Sequence, residues 1–424
     1  MGVGVSILRK QQFTNTSKLN LIQRIRKDQV MPIPIPEYLM YGAYCLNQQL
    51  GHDIAIAARG NGTIISIARD TRAGPNDIST PIVNLLQNNP NLGGQYDLFT
   101  TYAPTEACQG MAKIRRVRYI YEMTGAGLQR RGLNGAPPWA LTPLPGVLPS
   151  TPGNVIPGFA GMNAAQMRIA ASARLSTIRA ATAPDPIATM NIRQSILTTR
   201  VHDRVTPPPA IPIPPAGGAI GGVITPLRRR LFLITAYALV AARDFAGNAN
   251  NGHAIGCVLV DTNSAILGCS LNSVSTNSTY HAETLAVMQY LASNGFAGLP
   301  LNCNIFTTLQ CCHMCAGLIV TAGNGATAHY GQPDIAMNNN ALARGVSGSS
   351  EIERNYVNFT HQLDTALGGW NNTITALNSD TAKLFSAEAI HQFRRLKYEI
   401  TTPQDTLLWA QCQTIINSIH PNLV

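Results

Sequence analysis

Two stretches of the chain repeat one alternation of apolar and polar positions. IAARGNGTIISIARD at 56–70 and VLVDTNSAILGCSLN at 258–272 each read as a strand, a polar turn and a second strand, the pattern of a hairpin. The spacing between them holds without a gap to Gln87 and Gln289, at the end of a helix-like run. Upstream, the stretches Tyr38 to Tyr44 and Phe232 to Tyr237 predict an opening helix for each. Downstream, Phe99-Thr100-Thr101 answers Phe306-Thr307-Thr308. Four collinear elements point to an internal duplication, with blocks at 37–131 and 227–344.

The remaining segments have other textures. Residues 1–36 are basic and close on the extended Met31-Pro-Ile-Pro-Ile-Pro36. Residues 132–226 are crowded with proline at both ends and read as a linker with semi-rigid arms. Its middle, with Arg168, Arg174 and Arg179 among alanines, predicts a basic helix. Residues 345–424 read as a helical extension, with runs at 385–396 and 406–419.

Composition narrows the class. Hydrophobic residues make up 45% of the 424, enough for a sizeable core, while charged residues are only 12%. The net charge of +10 is carried mainly by arginine, whose planar fork suits phosphate and guanine. No apolar run reaches the roughly 18 residues of a membrane span, and the N-terminus lacks a secretory apolar core. A cytoplasmic or nucleic-acid-associated protein fits these features, and so does a secreted toxin or effector. Without a signal peptide, the cysteine cluster Cys311, Cys312 and Cys315 reads as a metal site rather than a disulfide framework.

The second block carries the chemistry. His281 is followed by Ala282 and Glu283, and later come Cys312 and Cys315 at C-x-x-C spacing. One imidazole and two thiolates make a zinc donor set that leaves a fourth position for water, the catalytic arrangement. Bound zinc lowers the pKa of that water and supplies hydroxide. Glu283, two residues past His281, is placed to reach the water without ligating the metal and to shuttle its proton. Both ligand groups precede strongly helical runs, and a helix N-terminus favours thiolate.

His-Ala-Glu followed by Thr308-Leu-x-x-Cys312-x-Met-Cys315-Ala-Gly317 resembles the cytidine deaminase superfamily. Within it, the motif is most similar to the branch of tRNA adenosine deaminases, guanine deaminases and bacterial toxin-type deaminases. The resemblance is strong over about 110 residues of the second block and weak over the first. It implies an α/β fold of three αβα layers with a five-stranded mixed sheet, present twice. It also implies zinc on His281, Cys312 and Cys315, a proton shuttle at Glu283, a substrate contact at Asn272 and a base pocket lined by Ile255 and Gly256. One departure is Gln310-Cys311 where the family has Glu-Pro, which makes Cys311 an alternative ligand.

The first block keeps little of this. At the repeat spacing Ser79 falls at the place of His281, Pro81 at Glu283 and Thr105 at Cys312; only Cys108 matches, at Cys315. One thiolate does not hold zinc, so one zinc per chain is expected, in the second block. The run containing Arg115, Arg116 and Arg118 is a candidate phosphate-contacting strip, or a solvated helix face. The sequence thus predicts a tandem zinc-dependent deaminase whose inactive first half packs on the active second half as an intramolecular pseudo-dimer. Its expected substrate is an adenine or cytosine base in RNA or DNA. A deaminase of a free base, nucleoside or nucleotide, of guanine or deoxycytidylate type, and a non-catalytic zinc-containing nucleic-acid-binding protein are the rival readings.

Overall fold

The structure, a computed structural model, describes residues 35–424 except 94, 125–126, 133–140, 144–162, 181–200, 202–207, 216–220, 248–252, 324 and 333–378. Nearly all of the expected N-terminal segment, most of the expected linker and the first part of the C-terminal extension therefore lie outside the described residues.

The first block runs α1 (Ile35–Leu50), β1 (Ile54–Ala58), β2 (Ile64–Arg69), α2 (Pro81–Asn88), β3 (Asp97–Thr100), α3 (Glu106–Ile114), β4 (Tyr119–Thr124), β5 (Gly127–Gly132) and β6 (Leu141–Pro143). Helix α4 (Ala164–Ala180) follows. The second block runs α5 (Pro226–Phe245), β7 (Gly256–Val260), β8 (Ile266–Leu271), α6 (Ala282–Ser293), β9 (Asn304–Leu309), α7 (His313–Ala322) and β10 (Thr327–Gln332), then α8 (Ser379–Leu396) and α9 (Pro403–Ile419).

The two mixed sheets share a plan. Their orders are β2-β1-β3-β4-β5-β6 and β10-β9-β7-β8. In both, the first strand pairs antiparallel with the second and third, and the third pairs parallel with the fourth. Even the bulge recurs, between Ala57 and Ala58 and between Leu259 and Val260. The expected class, mixed α/β with helices on both faces, is what the chain adopts. The strand count differs from five. In the first sheet the short β6 adds to β5, and in the second four strands lie among the described residues.

Alternation explains how each sheet buries both faces. Every residue of β1 and β7 is buried. Ala55 and Ala57 join one core, while Ile54, Ile56 and Ala58 join another on the opposite face. Cys257 and Leu259 face the first of these cores, and Val258 and Val260 face a third. The shared core takes α2, α3, α6 and α7 from both blocks, so the two sheets enclose one continuous helical layer. Beyond the first sheet lie α1 and α4, the latter placing Met167 and Ala171 in the outer core. Beyond the second lie α5, α8 and α9, whose Phe393, Trp409 and Ile416 pack with Phe232 and Phe306.

Thr80, Thr105, Thr225 and Thr402 start α2, α3, α5 and α9 by accepting from the backbone N–H three residues on. Proline follows three of them, where its missing N–H costs nothing.

The blocks meet closely at α3 and α7. A Cβ on Gly110 would fall onto the Met314 backbone, and one on Gly317 onto that of Ala107. Glycine is therefore what lets these two backbones touch. Gln87 Nε2 donates to Thr279 Oγ1 at 2.7 Å across the same boundary, and His313 Nε2 lies 2.6 Å from Glu106 Oε2.

Candidate metal centre

The sequence builds the centre from two helix starts and a strand end. His281 is the N-cap of α6 and Cys312 the N-cap of α7. Neither caps with its side chain, which leaves both free to point together. Cys315 lies one turn into α7, and its Sγ is 3.5 Å from Cys312 Sγ. His281 Nδ1 is 3.4 Å from Cys312 Sγ and 3.6 Å from Cys315 Sγ.

These separations test whether the donor set fits zinc. Tetrahedral zinc, bonded at about 2.3 Å to sulfur and about 2.0–2.1 Å to nitrogen, sets its ligand atoms about 3.5–3.8 Å apart. The observed edges match, so the three residues can hold the ion. They are the one such group of His, Cys and carboxylate donors among the described residues. Cys311 is buried and stands outside this group.

Electrostatics favour a charged ligand set. A hydrogen bond with Cys315 pulls the Cys312 thiol well below its usual range, against burial and with help from His281. Burial pulls the His281 imidazole down, but the Cys312 charge outweighs it and lifts it to about 9. Burial pushes the Cys315 thiol the other way, up, and a dication bound by the trio would favour loss of its proton.

Glu283 is 2% exposed on the first turn of α6. Its Oε1 accepts from Thr307 Oγ1 at 3.1 Å, and its Oε2 lies 3.5 Å from Cys315 Sγ. Burial first, then the Cys312 charge, raises its carboxyl above the ordinary range. It is a buried carboxyl beside the His-Cys-Cys group, fixed by a threonine that the sequence reading did not single out.

The residues that the resemblance assigns to substrate have visible internal duties. Asn272 is buried; its Oδ1 accepts from Ala282 N at 2.7 Å and its Nδ2 donates to the His253 carbonyl at 3.0 Å. It braces the start of α6 and retains one amide hydrogen for anything else. Gly256 has to be glycine because a Cβ there would strike the Ala236 carbonyl of α5. Ile255 is 6% exposed and belongs to the shared core.

Of the expected phosphate strip, Arg115 is turned inward, Arg118 is paired and partly exposed, and Arg116 is exposed. Arg115 is buried; its Nη2 donates to the Asn89 carbonyl and its Nη1 reaches Asn277 Oδ1 of the second block at 3.4 Å. Arg118 pairs with Asp97 at 2.8 Å. The left-handed turn at Arg116, φ 55°, sends Arg115 toward the other block and leaves Arg116 itself exposed. His313, between Cys312 and Cys315, is buried against Glu106.

The first block repeats the frame of the centre with other side chains. The repeat spacing put Ser79 at the place of His281, but Thr80 stands there. The Ser79 carbonyl accepts from Thr71 N as the Tyr280 carbonyl accepts from Ser273 N, and Thr80 caps α2 as His281 caps α6. The loop is one residue longer in the first block, so Ile82, not Pro81, falls at the place of Glu283. Thr80 Oγ1 and Thr105 Oγ1 lie 3.3 and 3.1 Å from Cys108 Sγ. Two hydroxyls and a thiol that burial keeps protonated stand where the other block has its ligands.

Residues 233–330 match the family model of the cytidine and deoxycytidylate deaminase zinc-binding region. The second block therefore carries a zinc-binding region of deaminase type. No curated protein sequence matches the chain. Among solved structures, NE0047 in complex with 2,6-diaminopurine aligns at 16% identity, covering 42% of this chain and 93% of that one, with a TM-score of 0.26.

Proposed function

We propose that the chain is a zinc-dependent hydrolytic deaminase of an adenine or cytosine base within RNA or DNA. In this reading residues 227–344 are the catalytic domain and residues 37–131 a degenerate copy. The two pack as an intramolecular pseudo-dimer, joined by 132–226 and extended by 345–424. The observation that carries it is a buried carboxyl, Glu283, held beside a His-Cys-Cys donor set of zinc geometry.

A bound zinc supplies a Lewis acid that activates water. His281, Cys312 and Cys315 would hold it. Glu283, kept in place by Thr307, passes one proton from the attacking water to the ring nitrogen and a second, from the hydroxyl so added, to the departing amine. The amine-bearing carbon gains a C–O bond, its C–N bond breaks, and ammonia leaves. Burial suits Glu283 to this, because a carboxylate out of water binds a proton more tightly than one in solvent. Ile255 and Gly256 would flank the ring, and Asn272 would offer its free amide hydrogen. The close α3–α7 contact and the Gln87–Thr279 bond support the pseudo-dimer, since both reach the segments that carry the ligands.

A second reading, deamination of a free base, nucleoside or nucleotide, is favoured by one observation. Of the three arginines in the expected phosphate strip, Arg115 and Arg118 are spent internally. One experiment addresses both. Zinc-loaded protein is offered single-stranded RNA, single-stranded DNA, and free bases, nucleosides and nucleotides, with ammonia release and sequence conversion as readouts. Conversion within a polynucleotide, weakened by salt, supports the first reading. Turnover confined to small molecules supports the second. Glu283→Ala should lower turnover by roughly 10²–10⁴ with zinc retained. Ammonia from none of the substrates would leave a zinc-containing binding protein instead.

A further inference from the structure

The loop from Ser273 to Tyr280 delivers His281 to the metal centre, and side chains of the first block hold it. Inside the loop, Asn277 Oδ1 accepts from Thr279 N at 3.1 Å and from Thr279 Oγ1 at 2.8 Å. Ser273 N donates to the Tyr280 carbonyl, and Tyr280 N to the Asn277 carbonyl, both at 2.8 Å. From the end of α2, Gln87 Nε2 donates to Thr279 Oγ1 at 2.7 Å, and Gln87 Oε1 accepts from Asn277 Nδ2 at 3.4 Å. Arg115, just past α3, reaches Asn277 Oδ1 from the same side. Gln87, Arg115, Asn277 and Thr279 are all buried. A buried polar group that loses its partner is costly, so these bonds fix where the loop lies.

The equivalent places on the other side of the boundary are filled differently. Thr80 and His281 start equivalent helices, and Cys108 and Cys315 stand at equivalent places in α3 and α7. Counted from these, Met288 is the counterpart of Gln87, Ile78 of Thr279 and Ala322 of Arg115. All three are buried apolar residues of the shared core. Apolar side chains therefore suffice for packing at these places. The polar set stands on the side that reaches the loop entering His281, and hydrogen bonds fix a direction where apolar contact does not. His281 has use for that. It caps α6 without a side-chain bond, so the backbone around it directs its ring toward Cys312 and Cys315.

We propose that Gln87 is a positioning residue for the metal centre. By holding Thr279 and Asn277 it sets the angle at which His281 meets an ion, so the first block governs the zinc affinity of the second. The inference rests on zinc binding by His281, Cys312 and Cys315, and not on any substrate.

The test measures the zinc affinity of the full chain by competition with a chromophoric chelator. Beside it stands the visible spectrum of the cobalt(II)-loaded protein, whose bands report ligand geometry. Gln87→Met has nearly the same volume and lacks the amide. It should weaken zinc binding about tenfold, the lower end of what loss of a support behind a ligand costs, and shift the cobalt bands. Thr279→Val removes the same bond from the other block and should do likewise. The double variant should bind no more weakly than the weaker single one, since one interaction is lost in each. Ile78→Ala disturbs the shared core at the counterpart place and should lower stability with affinity and spectrum unchanged. Wild-type affinity and spectrum in Gln87→Met overturn the proposal, and so does an equal loss of affinity in Ile78→Ala, because the contact then serves stability alone. Should Gln87→Met not fold, Thr279→Val decides by the same two readouts. A wild-type chain that takes up no zinc overturns the metal centre and this proposal with it, whereas unchanged variants of a zinc-binding chain overturn this proposal alone.

Discussion

The two blocks share strand order, register, a bulge and two capped helices, yet they differ at the point where those helices converge. In the second block the meeting point holds His281, Cys312 and Cys315 with Glu283 beside them. In the first it holds Thr80, Thr105 and Cys108, with Ile82 at the place of the carboxyl. Hydroxyl–sulfur hydrogen bonds close the first cluster, and a His-Cys-Cys donor set stands in the second. The frame tolerates either filling. The buried layer between the sheets is common to both blocks, whichever filling the helix starts carry.

That comparison can be broken most sharply by converting one block into the other. His281→Thr combined with Cys312→Thr reproduces the trio of the first block around Cys315. Zinc content should fall from one per chain to none while the helical and strand signals of circular dichroism persist. Unfolding of the double variant would show that the second block does need its ion.

The next effect is on packing. Gly317→Ala places a methyl group where the Ala107 backbone already stands, and Gly110→Ala does so against Met314. Each should cost about 1–3 kcal/mol through overpacking, read as a lower denaturant midpoint with unchanged zinc content in the folded protein. A neutral outcome would mean that the blocks separate easily.

The smallest effect is expected at Glu106. Its carboxylate is 42% exposed and faces His313. Glu106→Gln retains an oxygen for the imidazole and should change stability by less than about 1 kcal/mol. A larger loss, or loss of zinc, would promote this contact from boundary decoration to a support of the Cys312–Cys315 turn.

Much of this was legible in the sequence because it is local. Period-two alternation marked the hairpins, and the spacing of His281, Glu283, Cys312 and Cys315 marked the centre. A gapless comparison misplaced Thr80 by one residue, because an extra loop residue before α2 leaves no trace in apolar periodicity. The inward turn of Arg115 and the Gln87–Thr279 bond were illegible. Each depends on a partner far along the chain, and charge alone does not say which way an arginine faces. The C-terminal helices read as an extension, yet Phe393 and Ile416 are core residues of the second block.

The contact between α3 and α7 also sets a clock. Glu106 and His313, which face each other there, are separated by 207 residues. At about 5–20 residues per second, a ribosome needs roughly 10–40 s to make the intervening chain. Throughout that interval the glycine-notched side of α3 waits without its mate, beside the apolar face of the first sheet. A nascent first block is thus a species with a lifetime of its own. A chaperone, or the same surface on a neighbouring polysome, has tens of seconds in which to find it.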